Sequence, residues 1–309
     1  MRLDLAVARR FALSRRAARD AVRAGRIDLA GTPCDEPGRE VDDEAELSFH
    51  PGRPERRRVR TRLTVLVEDP DFLIVDKPAG LLSVPTAERE RETLLSRVLD
   101  YLHHRYARRP IAFVVHRLDR DTSGALVFAR NREALHYLQR LFHAHDIERE
   151  YVAIVEGTLA RDGSLDADLV RDGGDRRRGI ARPGEDGLRA VTHYRVLERL
   201  GGATLVSVKL ETGRTHQIRV HFSAARHPVL GDAVYRRRDL PPPRVDPPRQ
   251  MLHARRLGFA HPRTGQPVRA ESPLPEDFRE VLVRLRAMPG GERKKKRPGL
   301  GRGVGNTAS

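Results

Sequence analysis

Two hydrophobic patterns alternate along the middle of this chain, and the first consists of short apolar runs. These runs are rich in β-branched and aromatic residues and are bounded by Gly, Pro, Asp or Asn, which is typical of strands buried in a sheet. The glycine pair Gly201-Gly202 separates two such runs and predicts a hairpin. We predict strands at residues 63–68, 72–76, 113–116, 125–129, 151–156, 192–199 and 203–210.

The second pattern has the period of an amphipathic helix. Apolar residues recur three and four positions apart over residues 94–106 and again over 133–144, so each segment is predicted to be a helix. The turns between the strands are short, which favours antiparallel pairing. The fold class predicted for residues 63–286 is therefore α+β, with a mixed, mainly antiparallel sheet. The chain has no glycine-rich phosphate loop and no dinucleotide-binding fingerprint, so no nucleotide cofactor is predicted.

Residues 1–50 are predicted to form a separate small α/β domain. A short first helix is followed by Ser14, a favourable N-cap for a second helix that stops at Gly25. Short strands are predicted at 27–30 and 45–49, with a turn at 31–33 after the first of them. One side of the second helix is apolar, and the opposite side carries four arginines, Arg15, Arg16, Arg19 and Arg23. This basic side fits an RNA-binding surface, and it also fits an ordinary solvated helix face.

Three segments are poor in apolar residues and rich in arginine, lysine or proline. Residues 51–62 contain six arginines and two prolines and are predicted to form a basic linker between the two domains. Residues 236–250 and the tail, 287–309, are predicted to lack regular structure. The 236–250 segment is either a solvated loop or an insertion that contacts RNA, and the basic tail adds nonspecific attraction for phosphate.

The charge balance narrows the class of partner. The chain has 59 Lys and Arg against 43 Asp and Glu, a formal net charge of +16, which favours nucleic acid but also fits a membrane surface or simple solubility. The single cysteine, Cys34, excludes an intramolecular disulfide, and the absence of paired cysteines excludes a zinc nucleobase deaminase. Apolar runs of about five residues are far below the roughly 20 that span a bilayer, so we expect a cytoplasmic protein that does not enter membranes.

The strongest candidate for a reactive side chain is Asp119. It lies in the segment His116-Arg117-Leu118-Asp119-Arg120-Asp121-Thr122-Ser123-Gly124, between two predicted strands. A carboxylate at a strand end is held rigidly and is surrounded here by basic and hydroxyl side chains. An aspartate in a turn also commonly does no more than hydrogen-bond its own backbone, so position alone leaves both interpretations open.

The segment HRLDRDTSG resembles the signature of the RluA family of RNA pseudouridine synthases. Further segments resemble that family in the same order, and together they cover residues 63–280. Residues 1–50 resemble the αL RNA-binding motif, although Leu29-Ala30-Gly31 replaces the usual Val-Asn-Gly turn. The additional matching segments are DKPAGL at 76–81, EYVAIVEG at 150–157, GRTHQIRVH at 213–221, and LHA at 252–254 with the LGF and HP that follow it.

The resemblance implies an isomerase that converts uridine in RNA to pseudouridine without cofactor or metal. It implies that Asp119 is the catalytic carboxylate and that Arg219, the second arginine of GRTHQIR, pairs with it. It also implies that Tyr151 stacks on the target uracil and helps to move the proton lost from ring carbon 5. His216 and Gln217 are expected to support the turn before a helix. Whether Asp119 attacks the sugar, adds to the base or assists formation of a glycal stays open.

The same resemblance implies the RNA contacts. Arg117 is expected to help displace the target base from its stack, with His116 beside it, and Arg214 is expected to contact phosphate. The four arginines of the N-terminal helix are expected to bind structured RNA. Large-subunit ribosomal RNA is the first expected substrate and transfer RNA the second, and the protein is expected to act as a monomer.

Two other classes of function fit parts of the sequence. A noncatalytic RNA-binding or ribosome-assembly factor would explain the charge and the N-terminal domain, but it has no need for the Asp, Tyr and Arg together. A metal-dependent nuclease could combine Asp119 with Asp121, or with Asp146 and Glu148. The nuclease would require divalent cations and would cut the RNA chain.

Overall fold

The computed structural model describes residues 1–53, 63–86, 90, 92–106, 111–171 and 177–290. The chain divides into two compact units, residues 1–62 and residues 63–309. Most of the predicted linker, from 54 to 62, and the predicted tail from 291 onward lie outside the described residues. Within the described part, no helix is both long and apolar enough to cross a membrane.

The N-terminal unit contains two helices and, in its described part, a three-stranded antiparallel sheet of order β2-β1-β3. Ser14 caps the second helix, because its Oγ accepts a hydrogen bond from the amide of Ala17 at 3.1 Å. The β1–β2 turn lies at Ala30-Gly31, where both φ angles are positive, one residue earlier than predicted. The elements are α1 (Leu3–Arg10), α2 (Arg15–Arg23), β1 (Ile27–Leu29), β2 (Thr32–Cys34) and β3 (Leu47–Phe49).

The apolar side of α2 packs into the core of this unit. Ala18 and Val22 are fully buried together with Leu3, Val7 and Ile27, so the four arginines on the opposite side of α2 remain exposed. The start of the predicted linker is part of this unit. Its residue Arg53 donates two hydrogen bonds to Asp28, at 2.5 and 2.8 Å, so that part of the linker prediction was wrong.

The second unit is built on one large sheet. In the described residues eleven strands join in the order β10-β9-β11-β12-β8-β13-β7-β5-β4, with β14 added to β13 and β6 to β7. The described pairs are antiparallel except β13 with β7, which is parallel. The strands are β4 (Thr64–Glu68), β5 (Phe72–Lys77), β6 (Phe113–Val114), β7 (Ser123–Ala129), β8 (Glu148–Glu156), β9 (Gly163–Arg171), β10 (Arg178–Ile180), β11 (Leu188–Leu200), β12 (Ala203–Leu210), β13 (Leu252–Ala260) and β14 (Pro267–Glu271).

Helices cover both faces of this sheet, which explains why its central strands are continuously apolar. On β7, Leu126 and Phe128 pack towards α3, whereas Val127 packs towards α4. On β8, Val155 packs towards α5, and Ile154 packs towards α6. The helices are α3 (Leu94–Tyr106), α4 (Arg132–Ala144), α5 (Gln217–Ala224) and α6 (Glu276–Arg286).

The predicted α+β fold class is confirmed. Helix α3 and strand β12 have the predicted bounds, and Gly201-Gly202 joins β11 to β12 as a two-residue hairpin turn. Strand β6 is shorter than predicted. Strands β9, β10, β13 and β14 and helix α6 were not predicted, because their apolar residues are interrupted by charged ones. A helix was expected after the turn at His216 and Gln217, and α5 begins at Gln217.

The Pro/Arg-rich segment 236–250 has no helix or strand, as predicted, but it is not a solvated loop. Val245 is almost fully buried in the cluster that packs against α6, and Arg249 and Gln250 are also buried. Arg236 donates a hydrogen bond to Glu156 at 2.8 Å. Buried residues therefore anchor this segment to the sheet, and the interpretation as a solvated loop was wrong.

Candidate active site

Asp119 lies in the turn between β6 and β7, and its backbone carbonyl accepts a hydrogen bond from the amide of Thr122 at 3.2 Å. Gly124 leads from this turn into β7 with a φ of +120°. A Cβ atom at this position would lie 2.2 Å from the carbonyl oxygen of Ala254 on the parallel strand β13. The glycine of the HRLDRDTSG segment is therefore required by the close approach of two strands.

Buried polar side chains fix the residues on either side of Asp119. Ser83 Oγ donates to the carbonyl oxygen of Leu118 at 2.8 Å and accepts from its amide at 3.1 Å. Lys77 is fully buried, and its Nζ donates to the carbonyl oxygen of Arg120 at 2.8 Å. Burial lowers the pKa of Lys77 to about 7, although nearby carboxylates act in the opposite direction. Lys77 supports the turn and is not available to bind RNA.

The next two residues of the turn are held by the Pro/Arg-rich segment. Arg249 Nη1 donates to the carbonyl oxygen of Asp121 at 3.0 Å, while its other nitrogens pair with Asp277 at 2.6 and 2.9 Å. Gln250 Nε2 donates to Thr122 Oγ1 at 2.8 Å. Fixed contacts on successive residues hold the backbone around Asp119 in place, because the turn cannot relax independently of the sheet.

Arg219 on α5 joins two aspartates. Its Nη1 donates to Asp119 Oδ2 at 3.1 Å, and its Nε and Nη2 donate to Asp232 at 2.7 and 2.9 Å. Asp232 is almost fully buried, and its Oδ1 also accepts from the amides of Val234 and Tyr235. Burial alone would lower the pKa of Arg219, but the two carboxylates outweigh it and raise that pKa further. Arg219 is therefore a permanent cation beside Asp119.

His216 borders the same carboxylate from the start of α5. Its Nε2 lies 3.7 Å from Asp119 Oδ1, which is too long for a hydrogen bond. Its Nδ1 lies 2.8 Å from the hydroxyl oxygen of Tyr235, whose ring is 4.9 Å from the Arg219 guanidinium carbon. Burial lowers the pKa of His216 despite the nearby Asp119, so the ring is neutral at pH 7. The His216 ring therefore lies between Tyr235 and the Asp119 carboxylate.

Tyr151 lies on β8 and is half-buried. It packs against both apolar clusters on this face of the sheet, one below α3 and one below α5. Burial raises the pKa of its hydroxyl, so the side chain is a protonated phenol at neutral pH. A ring held in this way offers a flat apolar surface together with one hydrogen-bond donor.

A cleft of about 300 Å³ brings these side chains together. Asp119, Tyr151 and Arg219 all line it, and so do His116, Arg117 and Arg214 among the predicted RNA contacts. Four arginines and one aspartate are the charged residues of its lining. The cleft therefore attracts anionic ligands and places one carboxylate beside a flat aromatic ring.

The predicted RNA contacts in the cleft differ in character. Arg117 and Arg214 are exposed, and Arg214 is oriented by a hydrogen bond from its Nε to the carbonyl oxygen of Arg189 at 3.2 Å. His116 accepts a hydrogen bond from the amide of Val127 and stacks on Phe142 with ring centroids 4.4 Å apart. Burial lowers its pKa to about 3. His116 is therefore a neutral ring in the lining of the cleft.

Sequence reasoning missed Asp232, Tyr235 and Arg149. Asp232 and Tyr235 precede the Pro/Arg-rich segment, and no pattern of spacing connects them to Asp119. Arg149 stands in a run of charged residues, Glu148-Arg149-Glu150, that is typical of an exposed strand. Its burial in the cleft is a property of the packed sheet.

The nuclease alternative requires a group of metal ligands around Asp119. Among the described residues, the one cluster of suitable side chains is Asp69, Asp71 and His261, none of which lines the cleft. Asp71 in that cluster is already paired with Arg263, at 2.5 and 2.8 Å. The arrangement around Asp119 is instead an ion pair.

Comparisons with known proteins identify both units. Residues 71–224 match the family model for RNA pseudouridylate synthase, and residues 1–47 match the model for the S4 domain. The chain is 42% identical over 233 residues to ribosomal large subunit pseudouridine synthase D of Xanthomonas campestris, covering 72% of this chain and 70% of that protein. The enzyme of the same name from Vibrio cholerae is 35% identical over 298 residues, covering 92% and 91%.

Solved structures agree with this result at the level of the fold. Human RNA pseudouridylate synthase domain containing 4 superposes with a TM-score of 0.62 at 24% identity, covering 75% of this chain and 95% of that one. Human RNA pseudouridylate synthase domain containing 1 gives a TM-score of 0.56 at 26% identity, covering 74% and 97%. The noncatalytic alternative is not favoured. The chain belongs to the RNA pseudouridine synthase family, whose members isomerise uridine in RNA to pseudouridine, and it carries an S4 domain at its N-terminus.

Proposed function

We propose that this enzyme modifies uridines of large-subunit ribosomal RNA, with Asp119 as the catalytic carboxylate and Tyr151 and Arg219 assisting it. The observation that carries the residue roles is the 3.1 Å contact between Arg219 Nη1 and Asp119 Oδ2 in the cleft that Tyr151 also lines. The choice of ribosomal RNA is supported by the names of the bacterial relatives. Transfer RNA is the second candidate.

The reaction breaks the bond between N1 of uracil and C1′ of ribose, turns the base, and joins C5 to C1′. The proton on C5 is lost and N1 gains one, so no atom is added overall. Asp119 must be ionised when the reaction begins, whether it acts on the sugar carbon, on the base or on a ribose proton. Arg219 supplies a fixed cation that donates a hydrogen bond to this carboxylate at 3.1 Å and orients it towards the cleft.

Tyr151 holds the base while it is detached. Its ring offers a stacking surface for uracil, and its half-buried position limits the directions in which the base can leave. Because burial raises its pKa, the hydroxyl is a proton donor at neutral pH. It is therefore suited to donate a hydrogen bond to a base that has acquired negative charge.

The RNA contacts divide into two sets. Exposed Arg117 and Arg214 contact the RNA backbone at the cleft, and Arg117 replaces the target base when that base leaves its stack. Arg15, Arg16, Arg19 and Arg23 on α2 hold structured RNA through the S4 domain. The enzyme is proposed to act as a monomer. Since bacterial ribosomes are assembled in the cytoplasm, we assign the enzyme to that compartment.

Tritium release from an RNA transcript labelled with [5-³H]uridine tests the reaction, because the C5 hydrogen is lost when C5 bonds to ribose. The wild-type enzyme is expected to release tritium from large-subunit ribosomal RNA and to leave the RNA chain intact on a denaturing gel. Asp119→Asn is expected to reduce the rate by about 10² to 10⁴-fold. Asp146→Asn, an exposed carboxylate outside the cleft, is the matched control and should retain wild-type activity.

Mapping pseudouridine in cellular RNA tests the substrate. A gene deletion and the Asp119→Asn strain should lose the same sites in large-subunit ribosomal RNA. Loss of sites in transfer RNA alone would overturn the choice of ribosomal RNA while leaving the chemistry in place. A site lost in the deletion but retained in Asp119→Asn would overturn the assignment of the catalytic carboxylate.

A further inference from the structure

Arg149 on β8 is a buried cation that has no counter-charge among the described residues. The side chain is only 9% exposed and lines the catalytic cleft. Its Nε and Nη2 atoms are buried and have no hydrogen-bond partner within the described part of the chain. No described carboxylate lies within ion-pair distance of its guanidinium. A buried, uncompensated charge of this kind is costly to keep, and such groups are usually paired.

The neighbouring carboxylates do not compensate this charge. Glu148 lies 3.4 Å from Arg269, and Glu150 lies 3.3 Å from Arg256. Side chains alternate between the two faces of a strand, so these two glutamates face away from the cleft while Arg149 and Tyr151 face it. Arg219 in the same cleft is different, because Asp119 and Asp232 neutralise it.

The surroundings leave one edge of the guanidinium available. The ring of Phe142 covers one side, with its centroid 5.4 Å from the guanidinium carbon. Gly213 lies at the Nη1 edge, and a Cβ at that glycine would be 2.8 Å from Nη1. Because glycine has no side chain, this edge stays open to the cleft. The turn after Gly213 leads into α5, whose N-terminal end adds partial positive charge.

We propose that Arg149 binds a phosphate of the RNA backbone next to the target uridine, through Nη1. This inference rests on the proposed function and adds a residue to it. Phosphate carries a permanent negative charge, whereas uracil is neutral when it enters the cleft. A cation already stripped of water binds such a charge more strongly than an exposed arginine does. The contact draws the nucleotide into the cleft and offsets the cost of removing its base from the stack.

Single-turnover tritium release at several RNA and salt concentrations tests this role, with an unmodified transcript of large-subunit ribosomal RNA as the probe. Arg149→Met is expected to raise the half-saturating RNA concentration by about tenfold or more. It should also reduce the slope of log affinity against log salt concentration by about 0.7 to 0.9, the value for a single bound phosphate. Arg284→Met, an exposed arginine on α6 outside the cleft, is the matched control and should change neither quantity.

Thermal unfolding and Arg149→Lys separate binding from a structural role. Because the described residues give Arg149 no counter-charge, Arg149→Met should unfold at the wild-type temperature or above it. Arg149→Lys retains the charge and should keep the wild-type salt slope. If Arg149→Lys and Arg149→Met bind RNA equally weakly, the residue acts through packing and the proposal is wrong.

A second outcome would also overturn the proposal. If Arg149→Met lowers the rate at saturating RNA but leaves the half-saturating concentration and the salt slope unchanged, its contact is with the base and not with phosphate. Failure of the proposed function has a different signature, since wild-type enzyme would then release no more tritium than Asp119→Asn. Filter binding of the transcript would still report the affinity difference between wild type and Arg149→Met in that case.

Discussion

Arg219 Nη1 lies 3.1 Å from Asp119 Oδ2, although the two residues are one hundred positions apart in the chain. The opposite edge of the guanidinium makes two hydrogen bonds with buried Asp232. Arg219 is therefore held from behind by one carboxylate while it presents its remaining nitrogen to another. This arrangement fixes the direction of the Asp119 carboxylate.

Asp232→Asn is expected to reduce the rate at saturating RNA by about 10- to 100-fold with little effect on the half-saturating RNA concentration. The variant removes a charge that positions Arg219 but does not line the cleft. Because it breaks a buried ion pair, we also expect a loss of about 3 kcal/mol in the free energy of unfolding. Urea unfolding and single-turnover tritium release measure the two effects. Asp239→Asn, an exposed aspartate paired with Arg226 and Arg237, is the control, and wild-type turnover in Asp232→Asn would contradict the positioning role.

Gly124→Ala is expected to destabilise the enzyme strongly. The new Cβ would lie 2.2 Å from the carbonyl oxygen of Ala254, and the φ of +120° is unfavourable for alanine. Strain of this kind costs on the order of 2 kcal/mol or more, so the midpoint of urea unfolding should fall. Gly179→Ala is the control and should keep the wild-type midpoint, because its Cβ would meet no atom within 4 Å and its φ is not positive. Equal midpoints for the two variants would show that the strands can separate at little cost.

Lys77 should give the folding stability a characteristic pH dependence. The pKa of Lys77 is about 7 in the folded protein and 10.5 for an ordinary lysine. Between these values the unfolded chain binds the extra proton, so this group makes the enzyme more stable as the pH rises from 7 towards 10.5. Below pH 7 both states are protonated and the contribution is constant.

The comparison of wild type with Lys77→Met isolates this group. The free energy of unfolding of wild type should rise relative to the variant between pH 7 and 9, by at most about 1.4 kcal/mol per pH unit. The variant also loses the hydrogen bonds to Arg120 and Pro78. This loss lowers its free energy of unfolding by an amount that does not rise between pH 7 and 9. If the free energies of unfolding of the two proteins change with pH in parallel, Lys77 keeps an ordinary pKa.

The arginines of the S4 domain are expected to contribute to the affinity for RNA and not to the rate of the reaction. Changing Arg15, Arg16, Arg19 and Arg23 to glutamine is expected to raise the half-saturating RNA concentration and to lower the salt slope by about 0.7 to 0.9 for each phosphate that is no longer bound. The rate at saturating RNA should remain that of wild type. Arg279→Gln with Arg284→Gln, two exposed arginines on α6, is the control. An unchanged salt slope in the fourfold variant would assign RNA binding to another surface.

Local patterns were sufficient for the strands that position Asp119 and Tyr151. The apolar runs around β5, β7, β8 and β12 predict buried strands because both faces of each strand are covered by helices. The helical period predicts α3 and α4 because one side of each helix is buried against the sheet and the other is exposed. The position of Asp119 in a turn ahead of a buried strand, and the resemblance of its surroundings to a known signature, followed from residues that are adjacent in the chain.

The sequence by itself determined the family, the main strands and the identity of the residues proposed for catalysis, because these depend on short-range order and on motifs. Only the tertiary structure decided that Asp232 holds Arg219, that Arg249 holds the turn that contains Asp119, and that Arg149 is buried with no counter-charge among the described residues. Each of these relationships joins segments that are distant in the chain or depends on which face of a strand is covered. The physical reason is that burial and charge compensation are properties of the packed sheet, and a linear pattern of charged residues looks the same whether the sheet exposes them or encloses them.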